Sequence, residues 1–134
     1  MSMDKRVLIV DDSATWRRFH LATIKTYFPK GFVCQEADSA RAGLKLINDN
    51  LNEPFDIIIS DLQMEFDFEP ETAGEWFVKQ VKGVSAYKNT KIILISAMFN
   101  IEHIANSLDV EYLKKSTLAN NNLTLRLKLE ELCS

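Results

Sequence analysis

The stretch VLIVDDSATWRR, residues 7–18, holds the reading of the whole chain. Val7 to Val10 form an apolar run rich in β-branched residues and too short for a helix, so a buried strand is expected there. Two acids, Asp11 and Asp12, stop it. Ser13 then offers an N-cap for a helix whose apolar positions Trp16, Phe19, Thr23/Ile24 and Tyr27 recur at helical spacing, with Pro29 and Gly31 ending it. Residues 7–27 thus read as strand, acidic turn, helix.

The same unit repeats down the chain. Short apolar runs at Phe32–Cys34, Phe55–Ile59, Ile92–Ile95 and, weakly, Tyr112–Leu113 read as further strands. A helix follows Asp38 or Ser39, with Ala40, Leu44 and Ile47 on one face. Another opens near Thr72, carries Trp76, Phe77 and Val81, and runs to about Gly83. A short one fits Ile101 to Ser107. In the last stretch Leu123, Leu125, Leu127 and Leu129 alternate like a strand, while Leu118, Leu125, Leu129 and Leu132 fit one helix face; length and Arg/Lys/Glu content favour the helix. Alternating units of this kind predict an α/β fold, a doubly wound five-stranded parallel sheet with helices on both faces.

Composition narrows the function. The 134 residues are enough for one domain with its own core, and the net charge of −3 comes without a Lys/Arg run, so neither nucleic acid nor an anionic membrane is an expected partner. Cys34 and Cys133 match no zinc or redox spacing. Four apolar residues before Asp11 are too few for a signal peptide, and no run approaches a membrane span, so a cytoplasmic protein is expected.

In a doubly wound sheet, functional groups gather at the carboxyl ends of the strands, near the point where strand order reverses. Those ends carry Asp11 and Asp12, Asp61, Ser96 and Lys115. Acids and small polar residues are ordinary in turns, so each alone carries little; four of five strands delivering such a group to one edge carry much more. Three neighbouring carboxylates repel one another and favour a hard divalent cation.

The segments VLIVDDSATWRR, DIIISDLQM, IILISA and EYLKKS, in this order and spacing, resemble the response-regulator receiver domain of bacterial two-component systems over almost the whole chain, so residues 1–134 are expected to form a single receiver domain. The resemblance implies a flavodoxin-like (βα)5 three-layer sandwich that accepts a phosphoryl group on Asp61 with Mg²⁺ as cofactor. It further implies that Asp11, Asp12, Asp61 and the backbone carbonyl of Gln63 bind the metal, and that Lys115 and Ser96 meet the phosphoryl oxygens. Lys114 competes with Lys115, but Lys115 has the family's spacing from the aromatic Tyr112, the expected switch partner of Ser96. A sensor histidine kinase or phosphotransfer protein is the implied donor. The fourth helix, fifth strand and fifth helix would then face an unidentified downstream protein or a second copy in a homodimer.

The chain also departs from the family. Ser116 stands where proline follows the lysine, so the turn is either rebuilt or strained. Residues Glu65 to Glu71 form a longer loop, four acids interleaved with two phenylalanines, suited to selecting a partner, strengthening cation binding or slowing small anionic donors. The stretch from Ser96 to Lys115 is short, and Asp109 sits where small residues are common. Three functions compete. The leading one is a phosphorylation switch. The alternative is a pseudo-receiver that serves as an interaction module without phosphate. A phosphatase or flavin protein on a similar fold is third, opposed by Asp61-Leu62-Gln63, which lacks a second aspartate, and by the absence of a phosphate loop after the first strand.

Overall fold

The computed structural model describes residues 4–64, 72–121 and 123–133. Five strands make one parallel sheet: β1 Lys5–Val10, β2 Phe32–Ala37, β3 Ile57–Asp61, β4 Lys91–Ser96 and β5 Glu111–Lys114, in the order β2-β1-β3-β4-β5. Strand order therefore reverses between β1 and β3, as expected of the flavodoxin-like arrangement. The helices are α1 Ala14–Tyr27, α2 Ala40–Asp49, α3 Ala73–Lys82, α4 Ile101–Leu108, α5 Lys115–Asn120 and α6 Leu123–Cys133, with a 3-10 turn at Ser85–Tyr87. The acidic stretch from 65 to 71 lies outside the described residues.

Period-two alternation divides the strands between two cores. Leu8, Val10, Ile58 and Leu94 pack with α2, α3 and α4. Val7, Ile9, Ile57, Ile59, Ile93 and Ile95 pack with Ile24 of α1, Leu118 of α5 and Leu125 and Leu129 of α6. A strand buried on both faces must be apolar throughout, which is why β1, β3 and β4 read as continuous runs.

Caps set the helix starts. Ser13, Ser39 and Thr72 each accept a hydrogen bond from the backbone N–H three residues on, at 3.2, 3.0 and 3.2 Å. Two expectations need correction. The single last helix is two, because Asn121 is extended and its Oδ1 accepts from Leu123 N at 3.0 Å, capping a new start. On α1 the buried face includes His20, which the apolar pattern passed over. The short stretch after β4 closes at Asp109, in the left-handed region at φ 57°, with Val110 N donating to Ala105 O at 3.0 Å.

Candidate functional site

β1 and β3 bring their acids to the same sheet edge, on either side of the reversal. Carboxylate oxygens of Asp11, Asp12 and Asp61 lie within 4.8 Å of one another. Asp11 and Asp61 are buried and Asp12 is the more open of the three. Asp11 Oδ1 accepts from Ser13 N at 2.8 Å, whereas its buried Oδ2 meets no hydrogen-bond donor among the described residues. Arg17 ties the acidic turn down from α1, its Nη1 donating to the Asp11 carbonyl at 2.7 Å and its Nε to Glu36 at 3.1 Å.

The cation comes from the end of β5. Lys115 Nζ stands 3.3 Å from Asp61 Oδ1. Lys114, its competitor in the sequence, ends the strand exposed. The turn after the lysine is rebuilt as helix, with Lys115 the first residue of α5 and Ser116 the second, so the loop is not the lysine-proline turn of the family. One lysine does not neutralise three acids. Burial first, then the charge of Asp11, push the Asp61 carboxyl up to about 7, with Lys115 opposing. Burial likewise raises Asp11. Crowded, raised carboxylates and an orphaned buried oxygen are what a small oxygen-seeking cation relieves, so the donor set fits Mg²⁺.

Ser96 ends β4, buried, and its Oγ accepts from Met98 N at 3.0 Å. Ala97 beside it is exposed and adds no bulk over the edge. Gln63 lies exposed in the bend two residues beyond Asp61. Tyr112 faces outward, its hydroxyl donating to Glu102 Oε2 of α4 at 3.1 Å, and this bond is the first cause that raises its phenol. The edge thus assembles Asp11, Asp12, Asp61 and Lys115 tightly, with Ser96 adjacent in the sheet and Tyr112 turned away.

Three contributors escaped the sequence reading. Gly74, the second residue of α3, lies so close to the acceptor strand that an added Cβ would lie 2.5 Å from the Asp61 carbonyl oxygen and 2.6 Å from Leu62 Cα. Its N–H donates to Leu62 O at 2.9 Å, fixing the loop after Asp61. Trp16 places its ring centroid 5.2 Å from Lys115 Nζ. His20 is buried beside Trp16 at 5.8 Å between ring centroids, and burial, aided by Lys115, lowers its imidazole to about 4. A glycine or an aromatic on a helix carries no local signal of such contacts.

No family model and no curated protein matches the chain. Solved structures do. The chemotaxis response regulator CheY4 of Vibrio cholerae is 26% identical, with a TM-score of 0.77 over 96% of this chain and 98% of that one. The receiver domain of the histidine kinase CKI1 from Arabidopsis thaliana, as a point mutant, shares 22% identity and a TM-score of 0.68 over 92% and 91%. The receiver domain of the sensor histidine kinase PA1611 from Pseudomonas aeruginosa shares 13% identity and a TM-score of 0.74 over 98% and 99%, and its structure has a magnesium ion coordinated in the active-site cleft. No helix among the described residues is long and apolar enough to cross a membrane. With five parallel strands in this order, an acidic edge and neighbours that match it nearly end to end, the chain has the flavodoxin-like fold of the CheY-like response-regulator receiver domains that it resembles.

Proposed function

We propose that this receiver domain accepts a phosphoryl group on Asp61 from a histidine kinase or phosphotransfer protein and relays the change to a protein partner in the cytoplasm. The observation that carries the reading is the convergence of three carboxylates and Lys115 at one sheet edge.

Phosphoryl transfer asks a protein for position and charge more than for covalent chemistry. An Asp61 oxygen attacks phosphorus, the bond from phosphorus to the donor's imidazole nitrogen breaks, and its electron pair leaves with the imidazole. The product is an acyl phosphate on Asp61. Asp11, Asp12, Asp61 and the Gln63 carbonyl would hold Mg²⁺, which when bound would neutralise charge on the phosphoryl oxygens. Lys115 already faces the acceptor and pairs with one of those oxygens. Ser96 uses Oγ as an acceptor at present, so its hydroxyl proton remains to donate to another. Tyr112 turns inward behind Ser96 only by giving up Glu102, which couples the site to α4 and to the face formed by α4, β5 and the last helices, α5 and α6. That face is the proposed surface for the downstream partner or a second copy, and the exposed Leu127 of α6 lies off the buried stripe.

Intact mass after incubation with Mg²⁺ and acetyl phosphate tests the assignment. One added phosphoryl group is expected in the wild type, and none in Asp61→Asn or without metal. Equal uptake by Asp61→Asn rejects Asp61 as acceptor. No uptake by the wild type, and no response to beryllium fluoride, leaves the pseudo-receiver reading.

A further inference from the structure

Lys115 reaches the site without a proline behind it. It is the first residue of the six-residue α5, and its long, flexible side chain has to be held over Asp61 by something other than its own backbone. Among the described residues two groups contact the ammonium directly: Asp61 Oδ1 at 3.3 Å and the Trp16 ring, with its centroid at 5.2 Å. The second distance is within the range over which an aromatic face attracts a cation.

Trp16 is itself well fixed. It sits in the first turn of α1, where its backbone N–H donates to Ser13 Oγ at 3.2 Å. Phe19 meets its ring edge-on at 5.3 Å and 69°, and His20 lies tilted against it at 5.8 Å and 35°. His20 is 1% exposed and neither ring nitrogen has a hydrogen-bond partner among the described residues. An imidazole in that setting is neutral, so it packs against the indole without competing with Lys115 for the ring's negative face. α1 therefore carries both the acidic turn at its start and the surface against which the lysine rests.

We infer that Trp16 is a positioning residue for Lys115, its ring holding the ammonium at the Asp61 carboxylate where this chain lacks the proline-bounded turn. Its consequence for phosphoryl uptake rests on the function proposed above; the positioning itself does not.

The experiment reads the lysine directly. Side-chain relaxation of ¹³Cε-labelled lysines is measured by NMR in metal-free wild type, Trp16→Met and Trp16→Phe, with Lys128, which pairs with Glu111 at 2.9 Å, as internal reference. Trp16→Met keeps an apolar side chain but has no aromatic face; it is expected to lower the order parameter of Lys115 alone, and Trp16→Phe to restore most of it. In a parallel acetyl phosphate assay, Trp16→Met slows uptake three- to tenfold in the wild-type background and adds no further loss to Lys115→Met. Unchanged Lys115 order in Trp16→Met, or an equal fall at Lys128, overturns the inference. A selective fall at Lys115 in a protein that takes up no phosphoryl group upholds it and rejects the phosphoacceptor reading instead.

Discussion

At the scale of single residues, the site works by holding charge where water would otherwise dilute it. Asp61 and Asp11 are buried acids with raised carboxyls, and His20 is a buried base whose imidazole is lowered to about 4 from 6.5. The signs differ. Between about 4 and 6.5 the unfolded chain binds a proton at His20 that the native chain refuses, so this residue's share of stability is full above about 6.5 and is lost as pH falls towards 4. The gap corresponds to roughly 3 kcal/mol at the acid end. The two acids run the opposite way across much of that range, so the wild-type curve alone mixes the terms. Denaturant unfolding of His20→Leu beside the wild type separates them: the variant is expected to gain on the wild type steadily from pH 7 to pH 4.5. A constant difference across that range would show that the imidazole is not held neutral by the fold.

At the scale of elements, local chemistry decides where each helix stops. Asp109 ends α4 in a left-handed conformation at φ 57°, which a residue with a Cβ adopts only at a cost. Asp109→Gly is expected to raise stability by about 0.5–1 kcal/mol, read from the urea midpoint, since relief of strain exceeds the added freedom of the unfolded chain. The same chemistry explains which elements were legible beforehand. Ser13, Ser39 and Thr72 announce three helices because a hydroxyl before an amphipathic run caps the first turn. β1, β3 and β4 announce themselves because both faces are buried. The break at Asn121 was hidden because leucines on both sides keep one helical stripe, Leu118, Leu125 and Leu129, and the stripe outweighed the local preference of the asparagines at 120–122 for caps and turns. For the site, residues at strand ends were legible, since topology alone sends them to one edge. Trp16, His20 and Gly74 act through contacts between α1 and α5 or between α3 and β3, and no spacing along the chain encodes a contact of that kind.

At the scale of the molecule, the reversal of strand order opens a cleft between β1 and β3, and like charges from both sides meet in it. A fold that gathers acids in this way is less stable empty than filled. Mg²⁺ at a hundredfold excess over its dissociation constant is expected to stabilise the native state by about 2.7 kcal/mol. Thermal unfolding with and without the ion should show the gain, and Asp12→Ala should remove it. A gain that survives in Asp12→Ala would place the ion elsewhere. The likeness to receiver domains of response regulators and of histidine kinases covers more than nine-tenths of the chain in each comparison given above, so the energetics of this cleft bear on the whole fold.

On the proposed function Asp61 becomes an acyl phosphate, and borohydride trapping reads that bond at its own position. Reduction of the phosphorylated protein, followed by peptide mass mapping, is predicted to find homoserine at position 61 and aspartate unchanged at 11 and 12. Homoserine at either of the other two positions, or at none after treatment with both acetyl phosphate and a phosphohistidine donor, would contradict it.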